Sequence, residues 1–169
     1  MSEILRPDRF DGRALLRALV DGEVDFILVG GLAVGLHGAV RATKDADVVP
    51  NPERANLERL AAVLRAIGAR QIGVDTEFLP NQPTDPDGLK AGGSFQLATE
   101  HGQLDVLQGG GAIPDFSELA AEVCETLFEG MRIRYCSLRH LRQMKGAAGR
   151  PVDLRDLEQL DVAHRANEG

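Results

Sequence analysis

The chain has 169 residues, 43% of them hydrophobic and 27% charged, the proportions of a soluble globular protein with room for a substantial core. A net charge of −7 argues against a surface built throughout for nucleic acid, and six Phe, one Tyr and no Trp leave no evident stacking platform for single strands. Cys124 and Cys136 fit no zinc or CxxC spacing and read as small buried hydrophobes, and the opening MSEILRPDRF holds no apolar signal core, so a reducing, cytoplasmic setting without membrane insertion is expected.

In chain order, Ala14, Leu15, Ala18 and Leu19 recur at helical spacing and predict a helix over 11–20, ended by Asp21-Gly22. Phe26-Ile27-Leu28-Val29 is a continuous apolar run, as in a strand covered on both faces. Gly30 and Gly31 stop it, and glycine allows a tight turn and close approach of a ligand to the amides. Residues 32–37 read as the first turns of a helix, whose free N–H groups suit a phosphate. The next strand is Asp45-Ala46-Asp47-Val48-Val49. Side chains alternate along a strand, so Asp45 and Asp47 share a face. Two carboxylates there repel each other, and a divalent cation, Mg²⁺ (or Mn²⁺) with substrate phosphates, resolves the conflict.

Pro50-Asn51-Pro52 breaks that strand, with Asn51 as a plausible N-cap and Pro52 at the first helical position. Leu57, Leu60, Ala61, Leu64 and Ile67 line one face of the helix that follows, and Gly68 stops it. Prolines 80, 83 and 86 mark a long loop over 73–93, read either as a solvated connector or as a substrate-side flap. Residues 94–99 and 103–107 then form a hairpin, with Asp105 between Leu104 and Val106. Gln108 to Gly111 lacks the Lys-Ser/Thr of a P-loop and reads as a connector. A short helix over 115–122 precedes strands over 123–128 and 131–136, the second with Arg132 and Arg134 on one solvated face. Ser137 can cap a helix through Leu138, Leu141, Met144 and Lys145, and Arg150-Pro151 separates it from a last helix starting near Val152. The four histidines form no metal or triad set, and no serine sits in a nucleophile elbow.

The glycine pair, thirteen residues and then DxD resemble the signature of the DNA polymerase β superfamily of nucleotidyltransferases. The string GGLAVGLHGAVRATKDADVV is similar to the small bacterial members, including the abortive-infection type toxins, with Arg41 to Asp47 matching their RxTxDhD pattern. MKGAAGRPVDLRDLEQL resembles their C-terminal MKxxAxRxxDxxDL pattern. The resemblance implies an α/β (α+β) fold: a small mixed twisted sheet flanked by helices, with a core at about 22–108 and a C-terminal extension at about 112–167 of a single domain. It implies Asp45, Asp47 and Asp105 as metal-binding, catalytic carboxylates, the third acting on the attacking hydroxyl. Gly30, Gly31, Thr43 and Lys145 become nucleotide-binding positions, with Arg41 and Asp153 in support. The reaction implied is transfer of a nucleoside monophosphate from an NTP to a hydroxyl of a tRNA, a protein or a small molecule, with a toxin–antitoxin role and an antitoxin partner as one biological setting.

Other readings of the same residues stay open. Asp105 also fits a strand-end charge facing solvent, and Lys145 an exposed lysine paired with Asp153 or Asp156. Gly31 stands where many superfamily members have a serine whose hydroxyl touches a phosphate. The alternative at the level of function is a catalytically idle member of the fold that binds nucleotide or a protein partner.

Overall fold

A computed structural model describes residues 9–39, 41–72 and 84–167. Helix α1 (Gly12–Asp21) starts where the Asp11 side chain accepts a hydrogen bond from the Ala14 N–H, and its buried face is Leu15, Leu16 and Leu19. The apolar run is strand β1 (Phe26–Val29), followed directly by α2 (Gly30–Leu36). The two-aspartate stretch is β2 (Asp45–Pro50), and α3 (Arg54–Ala66) follows. Then come β3 (Arg70–Gln71), α4 (Pro86–Lys90), the hairpin β4 (Phe95–Thr99) and β5 (Gly102–Val106), α5 (Phe116–Ala121), β6 (Cys124–Phe128), β7 (Met131–Tyr135), α6 (Leu138–Ala148) and α7 (Pro151–Asn167).

Among the described residues the strands form one seven-stranded sheet in the order β3-β4-β5-β2-β1-β7-β6. It is mixed: β2 and β5 run parallel, as do β1 and β7, and the other pairs are antiparallel. The expected fold class holds. The C-terminal extension adds β6 and β7 to this sheet, so it completes the sheet as well as supplying helices.

Alternation along the central strands divides the core in two. Phe26 and Leu28 of β1, Ala46 and Val48 of β2, and Leu104 and Val106 of β5 pack with α1 and α3. Ile27, Val29 and Val49 face the other way and pack with Ala33 and Val34 of α2, Leu119 of α5, Leu141 of α6 and Leu160 of α7. Asp45, Asp47 and Asp105 have the parity of the second group, which sends all three towards α6 and α7.

Four local expectations need correction. Helix α3 begins at Arg54, with Glu53 at the N-cap and no capping side chain. Asn51 is still tied to β1: its N–H donates to the Asp25 carbonyl at 3.0 Å and its amide to the Asp25 carboxylate at 2.9 Å. Its Oδ1 accepts the Glu53 N–H at 3.0 Å, a turn that delays the helix by a few residues. Of the loop over 73–93, residues 73–83 lie outside the described residues. The rest contains α4, capped by Asp85, whose side chain accepts the Asp87 N–H. Arg134 is not simply solvated; it is half-buried, paired with Asp25, and its guanidinium carbon lies 5.8 Å from the Phe116 ring centre. Cys136 is buried, with its thiol pushed up to about 12 by burial, but Cys124 is only half-buried; both are free.

Candidate active site

The site starts from the pairing of β2 with β5. Their parallel register sets Asp47 beside Asp105, and Asp45 is two residues before Asp47 on the same face. One carboxylate oxygen from each of the three lies within 4.8 Å of the others. Among the described residues this is the group of acidic, His or Cys side chains with metal-binding geometry. The solvent-facing alternative for Asp105 is excluded, because the residue is only 8% exposed.

The crowding shows in the proton affinities. Burial, then the charges of Asp45 and Asp105, raise the Asp47 carboxyl from 3.8 to about 8, with Lys145 opposing. Asp105 is raised too, chiefly by burial, against a 3.0 Å hydrogen bond from the Gln103 amide and a bond to Asp47. Without a cation the trio therefore keeps a proton it would otherwise shed. A divalent cation fits this donor set: all-oxygen, anionic and clustered.

The glycine pair meets this cluster through its lack of side chains. Gly30 has φ +68°, and a Cβ there would collide with the Asp47 carboxylate. Gly31 is buried, and a Cβ there would run into the guanidinium of Arg41 and the methyl of Thr43. Thus the room beside Gly30 belongs to Asp47, and that beside Gly31 to Arg41 and Thr43.

A cleft of about 310 Å³ opens over Gly30 and Asp47. Leu107, Ile113, Leu141 and Met144 give it an apolar wall, while Lys145, Arg150 and Asp153 supply charge. The glycine connector after β5 contributes Gly110 to the rim. Lys145 is 7% exposed, and its ammonium lies 3.3 Å from Asp153 Oδ1 and 3.0 Å from Asp156 Oδ2. It is therefore neither exposed nor paired with only one aspartate. Arg41 Nε reaches Asp156 Oδ1 at 2.9 Å, and Arg150 forks onto Asp153. Burial alone would raise the Asp153 carboxyl, but the bonds from Arg150 and Lys145 outweigh it and hold the group below its ordinary range.

The sequence pointed to Arg41, Lys145 and Asp153 as site residues, but to Asp156 only as a partner for an exposed lysine and to Arg150 only as part of a helix break. Their signal was the spacing: Asp153 and Asp156 are three apart on a helix and so share a face. The histidines stay apart from this site: His37 Nε2 lies 2.8 Å from the Cys136 carbonyl, and buried His140 sits by Glu122 at 3.2 Å.

No family model matches the chain, and no curated protein sequence matches it. Solved structures do. The lincosamide antibiotic adenylyltransferase LnuA, in its lincomycin-bound crystal structure, superposes with a TM-score of 0.60 at 15% identity, over 90% of this chain and 98% of LnuA. A proposed nucleotidyltransferase from Thermotoga maritima superposes with a TM-score of 0.52 at 17% identity, over 99% of this chain and 98% of that one. At these identities the likeness shows the fold, which this chain shares with both proteins.

Proposed function

We propose that this protein is a metal-dependent nucleotidyltransferase that moves a nucleoside monophosphate from an NTP to an acceptor hydroxyl. One observation carries the reading: three carboxylates from two neighbouring strands converge within 4.8 Å, and one of them, Asp47, lines a cleft that also holds a buried lysine. A structural core does not gather three acids without a compensating charge. Bound Mg²⁺ or Mn²⁺ would supply charge neutralisation on the phosphoryl oxygens and acidify the acceptor hydroxyl.

The chain's own residues take the remaining roles. Asp45 and Asp47, with Asp105, would hold the cation. Asp105, whose proton affinity is already raised, orients the acceptor hydroxyl and takes its proton as that oxygen bonds to the α-phosphorus and pyrophosphate leaves. Lys145 places a compact positive charge beside the phosphates. Gly30 and Gly31 bring backbone close to the nucleotide, with Thr43 against the same turn. Arg41 and Asp153 brace the turn and the lysine. The chain is read as one domain, because among the described residues strands and C-terminal helices build the same cleft.

The acceptor is a hydroxyl of a small molecule, a protein or a tRNA. The net charge of −7 favours the first two over a large polyanion. A small-molecule acceptor matches the activity in the name of LnuA; a protein or tRNA acceptor matches the motif resemblance to toxins, with an antitoxin partner and a cytoplasmic setting. No described helix is long and apolar enough to cross a membrane. The test is Mg²⁺-dependent labelling from each of the radiolabelled NTPs, offered a tRNA pool, a protein mixture, lincosamides and aminoglycosides. Label in one class identifies the acceptor. A protein that binds Mg-NTP yet labels none of them is the idle member of the fold.

A further inference from the structure

Arg150 is the second cation in the cleft. It sits at the joint between α6 and α7, its side chain 68% exposed, in the same wall as Gly30, Asp47 and Lys145. Yet it is not free to wander. Its Nε donates to Asp153 Oδ2 at 2.7 Å and its Nη2 to Asp153 Oδ1 at 3.2 Å, and its own backbone N–H donates to the same Oδ2 at 3.1 Å. Asp153 is fully buried and also takes the Lys145 ammonium at 3.3 Å. One buried carboxylate thus fixes two cations, one enclosed and one open to the cleft.

The guanidinium spends two of its five N–H groups on Asp153, and the rest remain for an acceptor from outside. The bond to Asp153 holds Arg150 still more firmly charged, and the fields of Asp47 and Asp45 reach it as well. The cleft therefore sets a carboxylate cluster on the sheet beside a lysine and an oriented arginine on the helices. That is the charge pattern a metal–polyphosphate needs: anions for the cation, and cations for the phosphate oxygens that the cation does not cover.

We infer, resting on the nucleotide-transfer reading above, that Arg150 is a further nucleotide-binding residue whose guanidinium receives the β- and γ-phosphate oxygens, the part that departs as pyrophosphate. Asp153 is its positioning residue, aiming Arg150 and Lys145 together. Arginine suits the role because its planar fork meets phosphate oxygens in pairs, which an ammonium does not.

The distinguishing readout is dependence on phosphate number. Calorimetry would compare magnesium pyrophosphate, the four Mg-NTPs and the four NMPs on wild type, Arg150→Gln and Arg150→Lys. Arg132→Gln, which removes an exposed charge paired with Glu125 on the β6–β7 hairpin, controls for net charge. The expected result for Arg150→Gln is a loss of about tenfold or more for pyrophosphate and for the NTPs that bind, with NMP affinity changed less than about twofold. Arg150→Lys should recover part of the loss, and Arg132→Gln should show none of it. An equal loss for NTP and NMP, or no loss for either, overturns the inference while wild-type labelling leaves the transferase reading standing. A wild type that binds neither pyrophosphate nor any NTP overturns both. If Arg150→Gln does not fold, Arg150→Lys decides: unchanged pyrophosphate affinity rejects the forked contact.

Discussion

Asp47 carries the main electrostatic tension of the molecule. Burial beside Asp45 and Asp105 pushes its carboxyl up to about 8, against 3.8 for an unperturbed aspartate. The folded state therefore binds this proton more tightly than the unfolded chain does. The stability that comes from it is complete below the unfolded value and is lost as pH rises through the folded one. Melting temperature in chelator should accordingly fall between about pH 4 and pH 8 and level off above, and Asp47→Asn should flatten that fall, since an amide neither ionises nor repels its neighbours. Added Mg²⁺ should raise the melting temperature more at the alkaline end. A wild-type profile matching that of Asp47→Asn would show that the carboxylates do not crowd as described. Asp105 separates binding from chemistry. On the proposed reading, Asp45 and Asp47 are needed even by a protein that only holds Mg-NTP, whereas Asp105 takes the acceptor-side role. Asp105→Ala should leave Mg-NTP affinity within a few-fold and lower single-turnover transfer by about 10²-fold or more, the scale of losing a positioned acid–base group. Parallel loss of binding and transfer would place Asp105 among the nucleotide's own metal ligands.

The turn from β1 into α2 shows how an element depends on what lies outside it. Gly31 itself lies outside the left-handed backbone region, so its own conformation does not forbid alanine there. The restriction comes from Arg41 and Thr43, which occupy the side-chain space. Arg41 in turn is held by buried Asp156 of α7 at 2.9 Å. Gly31→Val would push the guanidinium off that aspartate and leave a buried carboxylate with Lys145 alone. The expected cost is about 1–3 kcal/mol of folding stability from overpacking, read by urea denaturation, together with weaker Mg-NTP binding. Wild-type stability and affinity in this variant would mean that Arg41 yields freely and that the glycine is an accident of the turn. Asn56 gives the same lesson at the far end of β1. Buried at 1% exposure, its amide donates to the Asp25 and Asn51 carbonyls at 2.8 Å each, and its Oδ1 accepts the Asp25 N–H at 2.7 Å. It stitches α3 to the ends of β1 and β2.

At the scale of the molecule, the sheet order makes the site. The chain visits β2 before the hairpin and returns to lay β5 parallel beside it, and only then does Asp105 stand next to Asp47. The helices after β7 close the cleft from the other side with Lys145 and Arg150. Cation and nucleotide should therefore bind as one unit, each completing the charge balance of the other. Calorimetry should show Mg-NTP binding at least about tenfold tighter than NTP in chelator, with Mg²⁺ alone weaker than Mg²⁺ in the presence of NTP. Nucleotide affinity indifferent to metal would remove the carboxylate cluster from the nucleotide site.

Backbone periodicity is a local property, and it is what the chain revealed by itself. The four-residue apolar strand, the same-face pair Asp45 and Asp47, the hairpin around Gly102, the Ser137 cap and the break at Arg150-Pro151 all follow from residues within a few positions of one another. Apart from the site residues the resemblance grouped, contacts between distant segments were not legible, because they depend on strand order and on which helix covers which face. Hence the enclosure of Lys145 between two aspartates, the Arg41–Asp156 pair, the Arg134–Asp25 pair and the delayed start of α3 emerged only from the folded arrangement. The motif in β2 marked a candidate cation site, since two acids crowded on one face of a strand need a counter-charge wherever they occur. That the third acid, the lysine and the arginine meet them was decided by the parallel pairing of β2 with β5 and the packing of α6 and α7 over that face.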